Sequence, residues 1–268
     1  MKKSILSFLI VVMTLGLVSF GYFNWNDSKK ERLNTTTGKD VAINSEVKAK
    51  IEGPIFSDFI YDVGPRFSAI KKGDLEKARS LEDFLPKEQF QRIVTLKSVS
   101  VILFKDEKQS DIREIGNSAL LTFAQLNLLE SFDYSTNFIM RAEYVEKNKE
   151  TSELEDSYTT PHLTIVPEKQ AEYAHGKDAL MGYLKESSKE ARANVDPDKL
   201  QPAKLFFTVT REGTIENIRL DRSSGYPIVD KTMIELISEA PGDWVPAENS
   251  KGEKVNQELV VSFGLMGC

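Results

Sequence analysis

The chain has 268 residues, of which 40% are hydrophobic, and its 35 basic and 41 acidic side chains give a net charge of −6. A protein that binds nucleic acid needs a basic surface to displace the counterions of the phosphates, so this charge balance argues against that class. The single cysteine, Cys268, excludes an intrachain disulfide and a zinc site built from several cysteines. We expect one large domain or two small ones with a real apolar core.

Residues 1–25 predict a membrane anchor. Ser4 to Phe23 contains no charged residue, and twenty residues of α-helix match the roughly 30 Å hydrocarbon core of a bilayer. The alternative is a cleaved signal peptide, which has a shorter apolar region and small residues at its exit, whereas bulky aromatic residues stand there in this chain. We therefore predict a retained single helix, followed by a polar linker over residues 26–53.

Small and hydroxylated residues form a stripe on one side of this predicted anchor. Ser7 and Thr14 lie there together with Ser4 and Gly21. Such a stripe lets a second helix approach closely and form hydrogen bonds with it, which predicts partner contacts at Ser7 and Thr14. The alternative is that a lone membrane helix tolerates scattered serine and threonine.

Residues 54–168 predict a mainly-β middle domain, opened by the apolar segment 55–67. Apolar and polar residues alternate over 91–104 and 137–145, as they do in strands with one buried face. Thr122 is predicted to cap a short helix. That helix is expected to bury either Phe123, Leu126 and Leu129 or a neighbouring set of residues.

The chemistry-bearing residues predict no enzyme. His162 and His175 are the only histidines, and no nucleophile with a base stands near either in the sequence. No glycine loop for phosphate, no paired-histidine metal motif and no nucleophile elbow occurs. We expect no cofactor and no metal site, and we interpret the two histidines as ordinary polar residues near strand and helix ends.

Residues 169–268 predict an α+β domain with the order helix, hairpin, helix and strand. Apolar residues at helical spacing favour a helix over 177–193. A hairpin with its turn at Glu212-Gly213 follows over 203–225. Asp230 is predicted to cap a second helix, 231–240, before the last strand.

Eight residues that are typical of turns and element boundaries follow one another in this region: Gly213, Ser223, Ser224, Gly225, Asp230, Trp244, Pro246 and Ala247. The pattern resembles the C-terminal domain of the TonB energy-transducer family, in the version common in Bacteroidetes-type bacteria. The resemblance implies a three-stranded antiparallel sheet with two helices, in which these residues define the fold. Trp244 is expected to fill the seam between helix and sheet.

The resemblance also implies a function in the cell envelope. Such a protein is anchored in the inner membrane by one helix, has the bulk of its chain in the periplasm, and works with a motor of the ExbB–ExbD type. Its C-terminal domain binds a segment of an outer-membrane receptor by strand addition, which drives transmembrane transport. Two alternatives are a static envelope or sensor protein that uses the domain only for binding, and a membrane-anchored periplasmic enzyme.

The last strand, 255–265, is the predicted site of strand addition. If the sheet follows the family order, one side of this strand is open and its unpaired N–H and C=O groups offer a template for a partner strand. Glu258, Val260 and Ser262 are the candidate contact residues. The alternative is that the strand closes the sheet and is covered by the chain end or by the middle domain.

Overall fold

A computed structural model describes residues 59–148 and 150–265, which all fall within one compact unit. The predicted anchor, the predicted linker and Cys268 lie outside the described residues. Within these residues the chain is a mixed α+β protein in which strands predominate. No helix of the described ranges is long and apolar enough to cross a membrane.

The first part of the structure contains seven strands and three short helices. The strands are β1 (Ile60–Gly64), β2 (Ser68–Lys71), β3 (Ile93–Lys105), β4 (Lys108–Gly116), β5 (Asn137–Lys147), β6 (Leu154–Thr159) and β7 (His162–Val166). The helices are α1 (Lys72–Leu75), α2 (Lys87–Phe90) and α3 (Phe123–Glu130), with a 3₁₀ turn at Leu81–Phe84.

Six of these strands form the middle sheet, in the spatial order β2-β7-β5-β3-β4, with β6 also paired to β5. The β2–β7 pair is parallel and the other pairs are antiparallel. The predicted strands 91–104 and 137–145 are confirmed as β3 and β5, because alternate residues of both enter one core. We call this core the middle cluster: Leu75, Ala78, Leu81, Phe84, Leu85, Val99, Val101, Leu121, Leu129, Phe132, Phe138, Met140, Ala142, Tyr144, Leu163 and Ile165.

Helix α3 packs on the middle sheet, and one of the residues that it buries there is polar. Thr122 caps the helix as predicted, since its side chain accepts from the Gln125 N–H and the Gln125 side chain accepts from the Thr122 N–H. The buried residues of α3 are Gln125 and Leu129, while Phe123 is 79% exposed. Of the three predicted residues only Leu129 is buried, so the helix buries a neighbouring set, which was the alternative of the prediction.

The second part of the structure supplies the C-terminal sheet and its helices. The strands are β8 (Glu172–Tyr173), β9 (Ala203–Val209), β10 (Ile215–Arg222), β11 (Trp244–Val245), β12 (Ala247–Glu248), β13 (Lys254–Val255) and β14 (Gln257–Gly264). The helices are α4 (Lys177–Ser187), α5 (Lys189–Arg192) and α6 (Pro227–Ser238), with a 3₁₀ turn at Pro197–Lys199. The single helix predicted over 177–193 is thus divided at Ser188.

The C-terminal sheet has the order β1-β14-β9-β10 and is antiparallel throughout. The expectation of three strands is wrong in number, because β1 is added to the predicted three. One face of the sheet and the helices bury the C-terminal cluster: Phe59, Val63, Ala171, Tyr173, Leu180, Leu184, Leu200, Ala203, Leu205, Phe207, Val209, Val229, Met233, Ile237, Trp244, Ala247, Leu259, Val261 and Phe263.

Helix α6 begins earlier than predicted. Its first residue is Pro227 and its N-cap is Tyr226, so the prediction that Asp230 caps the helix is wrong. Proline suits the first helical position because its φ is already helical and its missing N–H would have no partner inside the helix. Met233 and Ile237, one helical turn apart, are both buried.

Candidate functional site: the edge of the C-terminal sheet

Strand β14 presents two different faces. Leu259, Val261 and Phe263 enter the C-terminal cluster, and by the alternation of a strand the even-numbered residues face the other way. The predicted contact residues are on this second face. Val260 is buried there, and the Glu258 carboxylate forms an ion pair with Arg219 at 2.7 Å. Ser262 lies half-buried opposite Asp62 of β1.

Both edges of β14 are paired over residues 260–263. Strand β9 lies along one edge, with Gln257 opposite Val209 and Phe263 opposite Ala203. Strand β1 lies along the other, with Ile60 opposite Gly264. The expectation that this edge is open is therefore wrong over these residues. The segment 55–67 was expected to open the middle domain, but β1 within it belongs to the C-terminal sheet.

The rest of the edge is closed by the turn before β5. The Glu258 N–H donates a hydrogen bond to Ser135 Oγ, with an N···O distance of 2.9 Å. Ser135 has a φ of 65°, in the left-handed region that few non-glycine residues adopt. Its own N–H donates to the Ile165 carbonyl oxygen at 2.8 Å, which fixes the turn to the middle sheet.

Alternate side chains hold β1 and the residue just before it, Phe59, against the C-terminal cluster. Phe59 and Val63 are buried in the C-terminal cluster, and Tyr61 between them packs against it. The Tyr61 hydroxyl shares a hydrogen bond with Ser188 Oγ, and burial raises the pKa of Tyr61. The Arg192 guanidinium lies 5.1 Å from the Phe59 ring and 5.9 Å from the Tyr61 ring, which adds a cation–π contact.

Arg66 joins the two sheets just after β1. Its guanidinium lies 4.9 Å from the ring of Phe67, 5.0 Å from that of Phe104 and 5.4 Å from that of Phe206, a residue of β9. The side chain is 10% exposed and pairs with the carboxylate of Glu107. Only three residues separate β1 from β2, so a short bent segment crosses from the C-terminal sheet to the middle sheet.

The Ser-Ser-Gly turn is closed by the helix that follows it. Asp230 is buried inside α6, where Oδ1 accepts from the Ser224 N–H at 2.9 Å and Oδ2 accepts from the Ser223 hydroxyl. Gly225 has a φ of 84°, which glycine adopts without steric cost. Asp230 therefore stabilises the turn that precedes the helix, instead of capping the N-terminal end of the helix.

Trp244 and its neighbours meet the hairpin turn. The indole of Trp244 is 6% exposed and lies 5.2 Å from the Phe207 ring, between centroids. A Cβ atom on Gly213, where φ is 82°, would lie 2.7 Å from the Trp244 carbonyl oxygen and 3.7 Å from Pro246. Ala247 follows in β12 and is fully buried. The backbone of the hairpin turn at Gly213 therefore packs directly against the backbone of β11.

The two histidines stand apart from each other. The ring of His162 packs 5.1 Å from that of Phe67, between centroids, and Nδ1 lies 2.9 Å from the Thr160 carbonyl oxygen. The ring of His175 lies 5.6 Å from that of Tyr173. Among the described residues no group of three histidine, cysteine, aspartate or glutamate side chains is arranged to hold a metal ion.

Sequence reasoning missed three parts of this site. These are the pairing of β1 as a fourth strand, the hydrogen bond of Ser135 to the part of the β14 edge that β1 does not cover, and the contacts of Arg66 between the two sheets. The alternation Phe59-x-Tyr61-x-Val63 was a signal for the first. Ser7 and Thr14, the predicted contacts in the anchor, lie outside the described residues.

Comparison with known proteins returns no matching family model, no matching curated protein and no matching solved structure.

Proposed function

We propose that this chain is a TonB-like, non-enzymatic interaction protein of the cell envelope. It couples a single inner-membrane helix to an outer-membrane receptor through a C-terminal domain in the periplasm, for transmembrane transport driven by an ExbB–ExbD-type motor. The observation that supports this function best is the strand order of the C-terminal sheet. An extended segment lies against β14 in antiparallel register, with alternate side chains in the core, which is the geometry that strand addition requires.

A second candidate is a static envelope protein that uses the same domain only for binding. The observation that favours it is that β14 is covered by residues of its own chain. β1 pairs with residues 260–264, and Ser135 accepts from the Glu258 N–H. A permanently covered edge leaves β1 and β10 as the outer strands of the sheet.

Photo-cross-linking in cells separates the two candidates. A photoreactive residue replaces Asp62 on β1 or Arg222 on β10, both exposed, and a control carries it at Ile112 on β4, 54% exposed. A transducer gives cross-links to an outer-membrane receptor from at least one of the first two positions. These cross-links disappear when a protonophore collapses the proton gradient.

The static protein gives cross-links that do not change with the proton gradient. If neither Asp62 nor Arg222 gives more receptor cross-links than the Ile112 control, the transducer function is contradicted.

A further inference from the structure

We propose that the edge of β14 is a strand-binding site whose resident occupant is β1, and that a partner strand replaces β1 rather than adding beside it. The inference rests on the proposed function, because it concerns the partner of the same sheet. It names the kind of segment that fits and the step that must precede its binding.

The side chains of residues 59–63 indicate which residue types a partner strand needs at the same positions. Three alternate positions face the core and carry Phe59, Tyr61 and Val63. The Arg192 guanidinium lies over the first two rings, which favours aromatic residues at those positions.

Charge and space add two further conditions. Asp62 pairs with Lys177, so an acidic residue between the second and third apolar positions faces a lysine, which adds to the specificity of the site more than to its affinity. A Cβ atom on Gly64 would have no heavy atom within 4 Å, so the position after the valine accepts other residues. The partner is an extended segment, antiparallel to β14, of the form aromatic-x-aromatic-acidic-aliphatic.

Strand β1 is the part of the sheet that is able to leave. It is an outer strand, whereas β9 lies between β14 and β10. The Lys177 and Asp62 side chains of its ion pair are 56% and 65% exposed, and such surface pairs contribute little. The Arg66 contacts lie beyond the end of β1, so they hold the two sheets together after β1 has left.

The occupant is tethered at its C-terminal end, since three residues join β1 to β2. A tethered strand acts at a high effective concentration, so a free peptide competes poorly with it. Partner binding is therefore governed by whatever draws β1 away. The predicted polar linker, residues 26–53, precedes β1 and leads to the predicted anchor.

Hydrogen exchange on the full-length chain in mild detergent is the first test. We expect the β14 amides that bond to β1 to exchange at least tenfold faster than the β14 amides that bond to β9. The second set is an internal control within the same strand. Equal protection of the two sets would overturn the proposal, because β1 would then open only when the whole sheet unfolds.

The second test uses a fluorescent peptide with the sequence of residues 59–64 and a scrambled control. In the full-length chain, Phe59→Ala with Val63→Ala loosens β1, and this variant should bind the peptide at least tenfold more tightly than the unaltered chain. A folded variant that binds both peptides equally, or neither, contradicts the proposal. If circular dichroism shows that this variant does not fold, the exchange measurement and the locked variant below decide.

The locked variant carries Asp62→Cys and Ser262→Cys, which are directly opposite, together with Cys268→Ser. Its disulfide should abolish the weak peptide binding that the unaltered chain retains, and reduction should restore it. The matched control joins β5 to β6 through Glu146→Cys and Glu155→Cys in the same Cys268→Ser background, and should bind like the unaltered chain. Undiminished binding by the oxidised locked variant would overturn the proposal.

The locked variant also separates this inference from the proposed function. The photoreactive residue of the locked chain is placed at Arg222, since Asp62 is taken by the disulfide. If this chain cross-links to the receptor in cells as well as the unlocked chain with the same probe does, the function stands and strand replacement falls. If no variant cross-links to a receptor, the proposed function falls, while the exchange and peptide results still decide on β1.

Discussion

The backbone N–H of Ser224 donates to Asp230 Oδ1 at 2.9 Å, so a helix residue closes the turn that leads into its own helix. The carboxylate is buried and also accepts from the Ser223 hydroxyl. Two groups of the turn therefore depend on one side chain. The motif residues Ser223, Ser224 and Asp230 act as a unit in the folded chain.

Asp230→Ala should lower the free energy of unfolding by about 2–3 kcal/mol, because it leaves a buried N–H without its charged acceptor. Asp230→Asn should cost less, since an amide oxygen still accepts one of the two bonds. Urea unfolding followed by circular dichroism measures both changes. Asp221→Ala on the exposed part of β10 is the control, and a loss of the same size there would contradict the assignment.

Gly213 and Gly252 make a matched pair for backbone strain. Both have positive φ, 82° and 76°, but a Cβ at Gly213 meets the Trp244 carbonyl oxygen at 2.7 Å, whereas a Cβ at Gly252 meets nothing within 4 Å. Gly252→Ala should cost about 1–2 kcal/mol from the left-handed backbone alone. Gly213→Ala should cost clearly more in urea unfolding. Equal costs would show that the hairpin turn moves without penalty.

Ser135 combines a hydrogen bond with a left-handed backbone. Ser135→Ala should destabilise the chain by about 1 kcal/mol, since it removes the acceptor of the Glu258 N–H. Ser135→Gly removes the same acceptor but suits a φ of 65°, so its cost should be smaller. Chemical denaturation of the two variants checks the order. A greater loss in the glycine variant would show that the backbone conformation stores no strain.

Lys204 should make stability depend on pH. Burial, followed by the positive charges of Arg66 and Arg222, lowers the pKa of Lys204. The charged lysine is thus disfavoured in the folded chain, so its destabilising effect is fully present below the folded pKa and is relieved as pH rises toward the unfolded value of about 10.4.

Lys204→Met should therefore raise the urea midpoint at pH 7, and its advantage over the unaltered chain should shrink by pH 10. The control is Lys231→Met on the exposed face of α6. A gain that is the same at both pH values would contradict the electrostatic cause.

A fragment of residues 169–268 should self-associate. It lacks β1 and Ser135, so the edge of β14 has unpaired backbone groups and the C-terminal cluster loses Phe59 and Val63. Sedimentation should show dimers or larger species for the fragment, and a monomeric 54–268 chain under the same conditions. A monomeric, fully folded fragment would show that the sheet does not need its fourth strand.

The periodic parts of the fold follow from the sequence. Alternation predicted β3, β5 and β14 within a few residues, because one face of each strand enters a core. Helix α3 shows the limit of this signal. Its sequence is apolar on several sides, and its buried residues are Leu129 and the polar Gln125, whose Nε2 donates to the Val99 carbonyl oxygen at 2.9 Å. The apolar pattern alone therefore predicts neither the burial of Gln125 nor the exposure of Phe123.

The candidate site depended on contacts that pattern cannot locate. The segment 55–67 was recognised as apolar, but nothing in its period says to which sheet its strand belongs. The partner of β1 lies about two hundred residues away along the chain, and the acceptor of the Glu258 N–H lies in the turn before β5. The short motifs near Trp244 could be recognised because each turn involves residues close together in the sequence. The contacts of β1 and Ser135 with β14 join residues that are far apart in the sequence.

The pairing of Ile60 with Gly264 brings the two ends of the described fold side by side. Neighbouring strands lie about 4.8 Å apart, so a few added residues are enough to join residue 265 to residue 59. New ends opened at the exposed Thr151–Ser152 turn would give a circular permutant that keeps both sheets. In that molecule β1 is fastened at both of its ends, and no upstream segment remains to draw it out of the sheet.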